Sequence, residues 1–277
     1  MKYFGKFLLY FSLGSLWAQG ETEVYLLDLT QDSPSPINIS LNPGYDNQPS
    51  FWDNDHLLYT RTRAGQTDIV RYKLNSKKTE WLCDTAQGSE YSPLRIPESE
   101  AFSAIRLDTN GLQRLYRYTK DGKNKLLFSP LKIGYYHWVF ASTLLCTVLV
   151  EDHMNLMLVQ PNNSNKLIAE KVGRSLHRIP KTAQLSFIHQ KEGKSVLSSF
   201  AINTRHIQPL LTLPEGVQDV TWLPTGTLIF GQGKSLFKWD PNTSTGIQVW
   251  KKLTGINNIS RLALSPDGKR LALVGEE

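Results

Sequence analysis

Two histidines and one aspartate, His137, His177 and Asp219, are the residues of this 277-residue sequence whose types could do chemistry together. Two imidazoles and a carboxylate form a donor set that can bind a divalent metal. The same residues also read as two unrelated imidazoles and a carboxylate that caps a strand end. A second polar set comprises Asp46, Asn47 and Gln48 with Tyr91, Tyr135 and again Asp219. Aromatic rings offer rigid contact area and amides offer directional hydrogen bonds, which suits peptide or sugar recognition. Taken singly, each of these residues can also cap a strand and order water. Nucleophilic catalysis has less to draw on. No Gly-x-Ser-x-Gly elbow is present, and Ser92, Ser175 and Ser260 read as turn or strand-end hydroxyls. Asp53-Asn54 and Asp267-Gly268 invite a calcium or phosphate reading, but tight-turn chemistry accounts for both. No cofactor is called for by any of these patterns.

The elements that must position these residues are short strands with turn punctuation. Residues 45–59 show the unit most clearly: a short strand, a polar turn at Asp53-Asn54-Asp55, and a second apolar strand. Weaker copies recur to residues 262–273. The residue ending the first strand of each unit can be followed through Trp52, Pro97, Phe140, Pro180, Pro224 and Pro266, about 40–45 residues apart. Apolar strands follow at 56–61, 101–107, 143–150, 184–189, 227–230 and 270–274, and two further strand-like runs lie between anchors. Four strands per repeat of this length make one propeller blade, and the chain holds about six. The last unit ends after two strands, while residues 23–29 and 37–41 precede the first anchor. Joined, these four strands complete one sheet and close the ring. The expected fold is therefore all-β, a six-bladed β-propeller over residues 19–277, with no helix of convincing period and caps.

This frame places the chemistry. His137 and His177 fall on inner strands of neighbouring blades, each three residues before its anchor, at one level beside a central channel, with Asp219 in the next blade. Asp46, Asn47, Gln48, Tyr91, Tyr135 and Asp219 occupy the loops that enter inner strands and ring one channel mouth. A one-residue slip would turn any of these side chains to the other face of its strand. Cys83 and Cys146 are placed in non-adjacent blades, so both are expected as free thiols.

Asn47-Gln48-Pro49-Ser50-Phe51-Trp52-Asp53-Asn54 and Leu264-Ser265-Pro266-Asp267-Gly268-Lys269 resemble the Pro-x-Trp-Ser-Pro-Asp-Gly-Lys signature of TolB-like propellers, whose repeats are WD-repeat-like. Asp68-Ile69-Val70-Arg71-Tyr72 and residues 23–28 resemble that family's third-strand motif. The likeness spans residues 19–277, strongest in the first and last blades, and Phe140-Ala141-Ser142 departs from the Pro-Asp-Gly turn. TolB carries an α/β domain ahead of its propeller, whereas here the first strand follows directly on the N-terminal segment. The resemblance implies non-catalytic binding in the cell envelope without carrying over TolB's own partner.

Residues 1–18 read as a secretory signal. Lys2 and Lys6 precede an apolar stretch at 7–17, and Ala18 is the small residue at a cleavage site before Gln19, with cleavage after Gly20 as the alternative. The apolar run is shorter than a spanning helix needs. The composition, 40% hydrophobic and 20% charged, is that of a globular chain. The net charge of +6 is scattered, densest at 120–125, with no basic stripe of the kind nucleic acid requires. The expectation is an exported, periplasmic or secreted, monomeric binding or scaffold propeller. It would recognise an envelope protein, a peptide or a glycan at the channel mouth. Two alternatives stay open: an envelope hydrolase or lyase using a His/Asp set at the mouth, and a structural module of an envelope complex.

Overall fold

The computed structural model describes residues 21–160 and 164–276, so the signal-like segment and its cleavage position lie outside the described residues. The described elements are strands, grouped in six four-stranded antiparallel sheets arranged as a β-propeller. Blades 1 to 5 occupy residues 47–81, 89–127, 133–169, 172–212 and 220–252, each laid down from inner to outer strand. Blade 6 takes its inner strands from Asn257–Leu264 and Arg270–Glu276 and its outer strands from Glu23–Asp28 and Ile37–Asn38. Glu23–Asp28 pairs with Arg270–Glu276 from Glu23↔Gly275 to Asp28↔Arg270. The ring is closed as the repeat arithmetic predicts.

The outermost strand of blade 6 is shorter than the expected 37–41. Asn38 Oδ1 accepts from the amides of Ser40 (3.1 Å) and Leu41 (3.1 Å), a local turn that competes with the ladder. Ser40 Oγ then takes the Val24 amide at 2.9 Å.

The core is six clusters, one between each pair of adjacent blades. Leu57, Tyr59, Val70 and Tyr72 of blade 1 pack on Val24, Ala272 and Val274 of blade 6. Leu58 and Ile69 face the other way, onto Phe102, Ala104, Tyr116 and Tyr118 of blade 2. A strand buried on both faces has no polar alternation to display. That is why second strands such as Thr143–Val150 read as continuous apolar runs. Gly231 allows blades 5 and 6 to approach closely, since a Cβ there would lie 2.2 Å from Ile259 Cγ2.

Two blade junctions share a polar tie. Trp138 Nε1 of blade 3 donates to Ser103 Oγ of blade 2 at 2.9 Å, and Trp222 Nε1 of blade 5 donates to Ser186 Oγ of blade 4 at 2.8 Å. Ser103 Oγ also accepts from Tyr136 OH at 3.0 Å. Ser103→Ala leaves the buried indole N–H without an acceptor. A loss of about 2 kcal/mol is expected, with Tm falling by roughly 4–8 °C in thermal unfolding. An unchanged Tm would mean that the tie contributes nothing to holding blades 2 and 3 together.

Candidate functional site

All six inner strands converge on a cavity of about 240 Å³. Gln48, Ser92, Tyr135, Arg174, Asp219 and Arg261 line it, one from each blade, with His137 and His177 also on its wall. The strands are bent to do this. Five of the six lose register with their second strand, between Asn47 and Ser50, Tyr91 and Leu94, Ile133 and Tyr135, Val172 and Leu176, and Asn257 and Arg261. Gln48, Ser92 and Asn258 take positive φ at 56°, 52° and 46°. Bulges of this kind re-aim side chains at the rims of β structures.

Asp219 is the cavity's one carboxylate among the described residues. Ser175 Oγ donates to its Oδ1 at 3.2 Å, His177 Nε2 lies 3.8 Å from Oδ1, and an Arg261 guanidinium nitrogen lies 3.9 Å from Oδ2. Arg261 also reaches the Tyr135 hydroxyl at 3.4 Å, with its guanidinium 5.2 Å from the centre of that ring. Arg174 donates to the Ser260 carbonyl at 2.7 Å, while its Nε is buried without a hydrogen-bond partner. Burial, and then the like charge of Arg261, work against the Arg174 cation, and Asp219 favours it. His137 is held neutral well below the usual imidazole range, by burial and then by His177 and Arg178. The channel is electropositive.

The sequence-predicted residues divide. Gln48, Tyr135, His137, His177 and Asp219 are brought together on the cavity wall. Tyr91 sits beside it, edge-on to Tyr45 with ring centres 6.3 Å apart. Asp46 and Asn47 are buried and bonded to the fold. Asp46 Oδ1 accepts from the Thr62 amide (3.1 Å) and from Asn42 Nδ2 (3.0 Å), and Asn47 Nδ2 donates to Thr22 Oγ1 at 3.1 Å. Arg174 and Arg261 are the cavity residues that the sequence reading missed. For Arg261 a signal is present: like Ser92, Tyr135 and Asp219, it lies five residues before its anchor.

Burial raises the Asp46 carboxyl to about 6, against hydrogen bonds from Thr62 and Asn42 and the charge of Arg61. A carboxyl raised on folding binds its proton more tightly in the native state. Its stabilisation is present below the unfolded value of 3.8 and is lost as pH climbs through about 6. Asp46→Asn should remove this slope, so that Tm measured from pH 4 to 7 falls less in the variant than in the parent. Parallel profiles would show that Asp46 does not carry it.

Among the described residues, one set of three metal-ligating side chains has donor atoms within 4.8 Å of one another: Asp68, Cys83 and Glu90, between blades 1 and 2. His137, His177 and Asp219 do not form such a set. The members of this trio bond within the fold, although Glu90 Oε2 is buried without a partner. Cys83 Sγ donates to Asp68 Oδ1 at 3.7 Å and accepts from the Ile69 amide at 3.2 Å. Burial raises the Glu90 carboxyl, against hydrogen bonds from Thr85 and Tyr118, and the Asp68 charge raises it further. Cys83 and Cys146 are both free, and burial pushes the Cys146 thiol up to about 12. Ser175 meets Asp219 and the Val220 backbone rather than an imidazole. Asp53 and Asp267 serve turns, with Oδ1 accepting from the amides of Asp55 and Lys269.

Fold and cavity together define a six-bladed β-propeller with a polar, arginine-lined channel. The solved structures it is similar to span several activities. An Agrobacterium tumefaciens structure assigned as TolB superposes with TM-score 0.70 at 13% identity, over 92% of this chain and 98% of that one. A gluconolactonase from Xanthomonas campestris gives 0.65 at 12%, over 92% and 97%. An oligogalacturonate lyase in complex with manganese gives 0.62 at 12%, over 92% and 91%. At these identities the likeness is one of fold. No protein-family model matches the sequence, and no curated protein matches it significantly.

Proposed function

We propose that this chain is an exported, non-catalytic binding propeller of the cell envelope, capturing a protein segment or glycan at the channel mouth. The observation that carries the reading is the electropositive cavity. Arg174 and Arg261 share the cavity wall with the two histidines and Asp219, a setting that repels the divalent cation an envelope lyase or hydrolase of the His/Asp kind would recruit. Asp219 is already engaged by Ser175 and faces Arg261 and His177. The tyrosines Tyr45, Tyr91 and Tyr135 supply contact area at the mouth. The signal-like N-terminal segment and the fold likeness to TolB support an envelope location.

The test is site-specific photo-cross-linking in cells. A cross-linker at Gln48 or Tyr91 should trap a discrete envelope partner, while one at the outer-strand residue Val249 should not. The reading is overturned if mouth and rim positions label alike. It is also overturned if the purified protein holds one equivalent of divalent metal and turns over lactones or oligogalacturonates.

A further inference from the structure

We propose that the ligand's anchoring group is the terminal carboxylate of a polypeptide, gripped between the guanidinium groups of Arg174 and Arg261. This rests on the binding reading above and names the group bound.

Charge is the first argument. Two arginines face one carboxylate, Asp219, which stands 3.9 Å from Arg261. One fixed positive charge is left uncompensated in a cavity walled by protein. The second argument is the guanidinium itself: Arg174 lines the cavity and is held by the Ser260 carbonyl at 2.7 Å. A carboxylate is the acceptor whose geometry a guanidinium matches best. A monoanion balances the single excess charge, where a phosphate dianion would overshoot it. The third argument is pre-organisation. Arg261 is steadied by Tyr135 across the channel and Arg174 by blade 6, so neither must be ordered on binding.

Shape selects the source of the carboxylate. Six inner strands ring the cavity, so a ligand enters from the mouth, end on. At about 240 Å³ it is smaller than pockets that take a whole drug-sized ligand, and it suits one terminal residue. A polypeptide presents its α-carboxylate at such an end. An acidic sugar within a glycan carries its carboxylate beside the chain, and both flanks would have to pass inside the ring. Tyr45 and Tyr91, edge to face at the mouth, would flank the side chain of the last residue.

The experiment is a titration of the purified protein, followed by the side-chain ¹⁵N–¹H signal of Arg174 Nε and by Tm. The probes are an N-acetylated tripeptide as free acid, the same tripeptide as C-terminal amide, glucuronate and inorganic phosphate. The free acid should shift the Arg174 signal and raise Tm, and the amide should bind at least about tenfold more weakly. Arg174→Gln should lose the difference between acid and amide. So should Arg261→Lys, which keeps the charge and lacks the planar fork, with its circular dichroism unchanged. Equal affinity for acid and amide, or no response of Arg174, overturns the proposal. Tighter binding of glucuronate assigns the cavity to acidic sugars and overturns the peptide source, and equal competition by phosphate marks an adventitious anion only. Cross-linking at the mouth that persists in Arg174→Gln, with no difference between acid and amide, would sink the carboxylate assignment alone and leave the binding reading standing.

Discussion

A chain that begins at Asn42 should fail to form a stable monomer. The loss removes both outer strands of blade 6, Glu23–Asp28 and Ile37–Asn38. Val24, Tyr25 and Leu27 are almost fully buried, Val24 against blade 1 and the other two against blade 5. Burial of each is worth about 1.5–3 kcal/mol, so together they approach the whole stability of an ordinary domain. Arg270–Glu276 would become an edge with unpaired amides and carbonyls and two apolar faces, which recruits other chains. Arg270 would lose its ion pair with Asp28 at 2.8 Å. Gel filtration and thermal unfolding should therefore show aggregation, or unfolding far below the temperature of a chain starting at Gln19. A separate peptide of residues 21–41 should restore part of the loss by strand addition. A monomer with unchanged Tm would mean that the ring does not depend on its shared blade.

Arg63→Ala should cost about 3 kcal/mol, lowering Tm by roughly 6–12 °C. Asp68 is wholly buried, and Arg63 Nε donates to its Oδ2 at 2.7 Å. Gln66 adds a neutral donor at 3.1 Å. The neighbours on the other side are the Cys83 thiol and the Glu90 carboxyl, neither of which can offset a negative charge. Without Arg63 the anion stays buried and uncompensated beside a second acid. The double variant Arg63→Ala/Asp68→Asn should recover most of the loss, because the charge that needed pairing is gone. A double-mutant cycle on denaturant unfolding measures this coupling. If Arg63→Ala costs under about 0.5 kcal/mol, the pair behaves as an exposed surface ion pair, and Asp68 is compensated by other means.

The chain's architecture was legible because it rests on local chemistry repeated six times. Each anchor ends an inner strand before a polar turn, and the Asp267-Gly268 turn works as its residues dictate, with Gly268 at φ 71°. Continuous apolar second strands follow from burial on both faces, which sequence displays directly. The leftover strands at either end could be joined by counting alone. Asp46 and Asn47 were misplaced as mouth residues because amide and carboxylate side chains that cap strands look the same in sequence as those that face a ligand. Their roles depend on partners more than ten residues away, Thr62 and Thr22.

By itself the sequence determined the fold class, the blade count and the closing blade, since period, turn residues and burial patterns are properties of neighbours along the chain. Only the tertiary structure decided what His137, His177 and Asp219 meet. Five inner strands bulge near the mouth, and a bulge changes which face a side chain takes without leaving a mark on the repeat. The bulges and the closed ring bring Arg174 to Ser260 and Arg261 to Tyr135, from blades that no local pattern connects. The excess positive charge of the channel, and with it the character of the site, is a sum over six strands that exists only once they face one another.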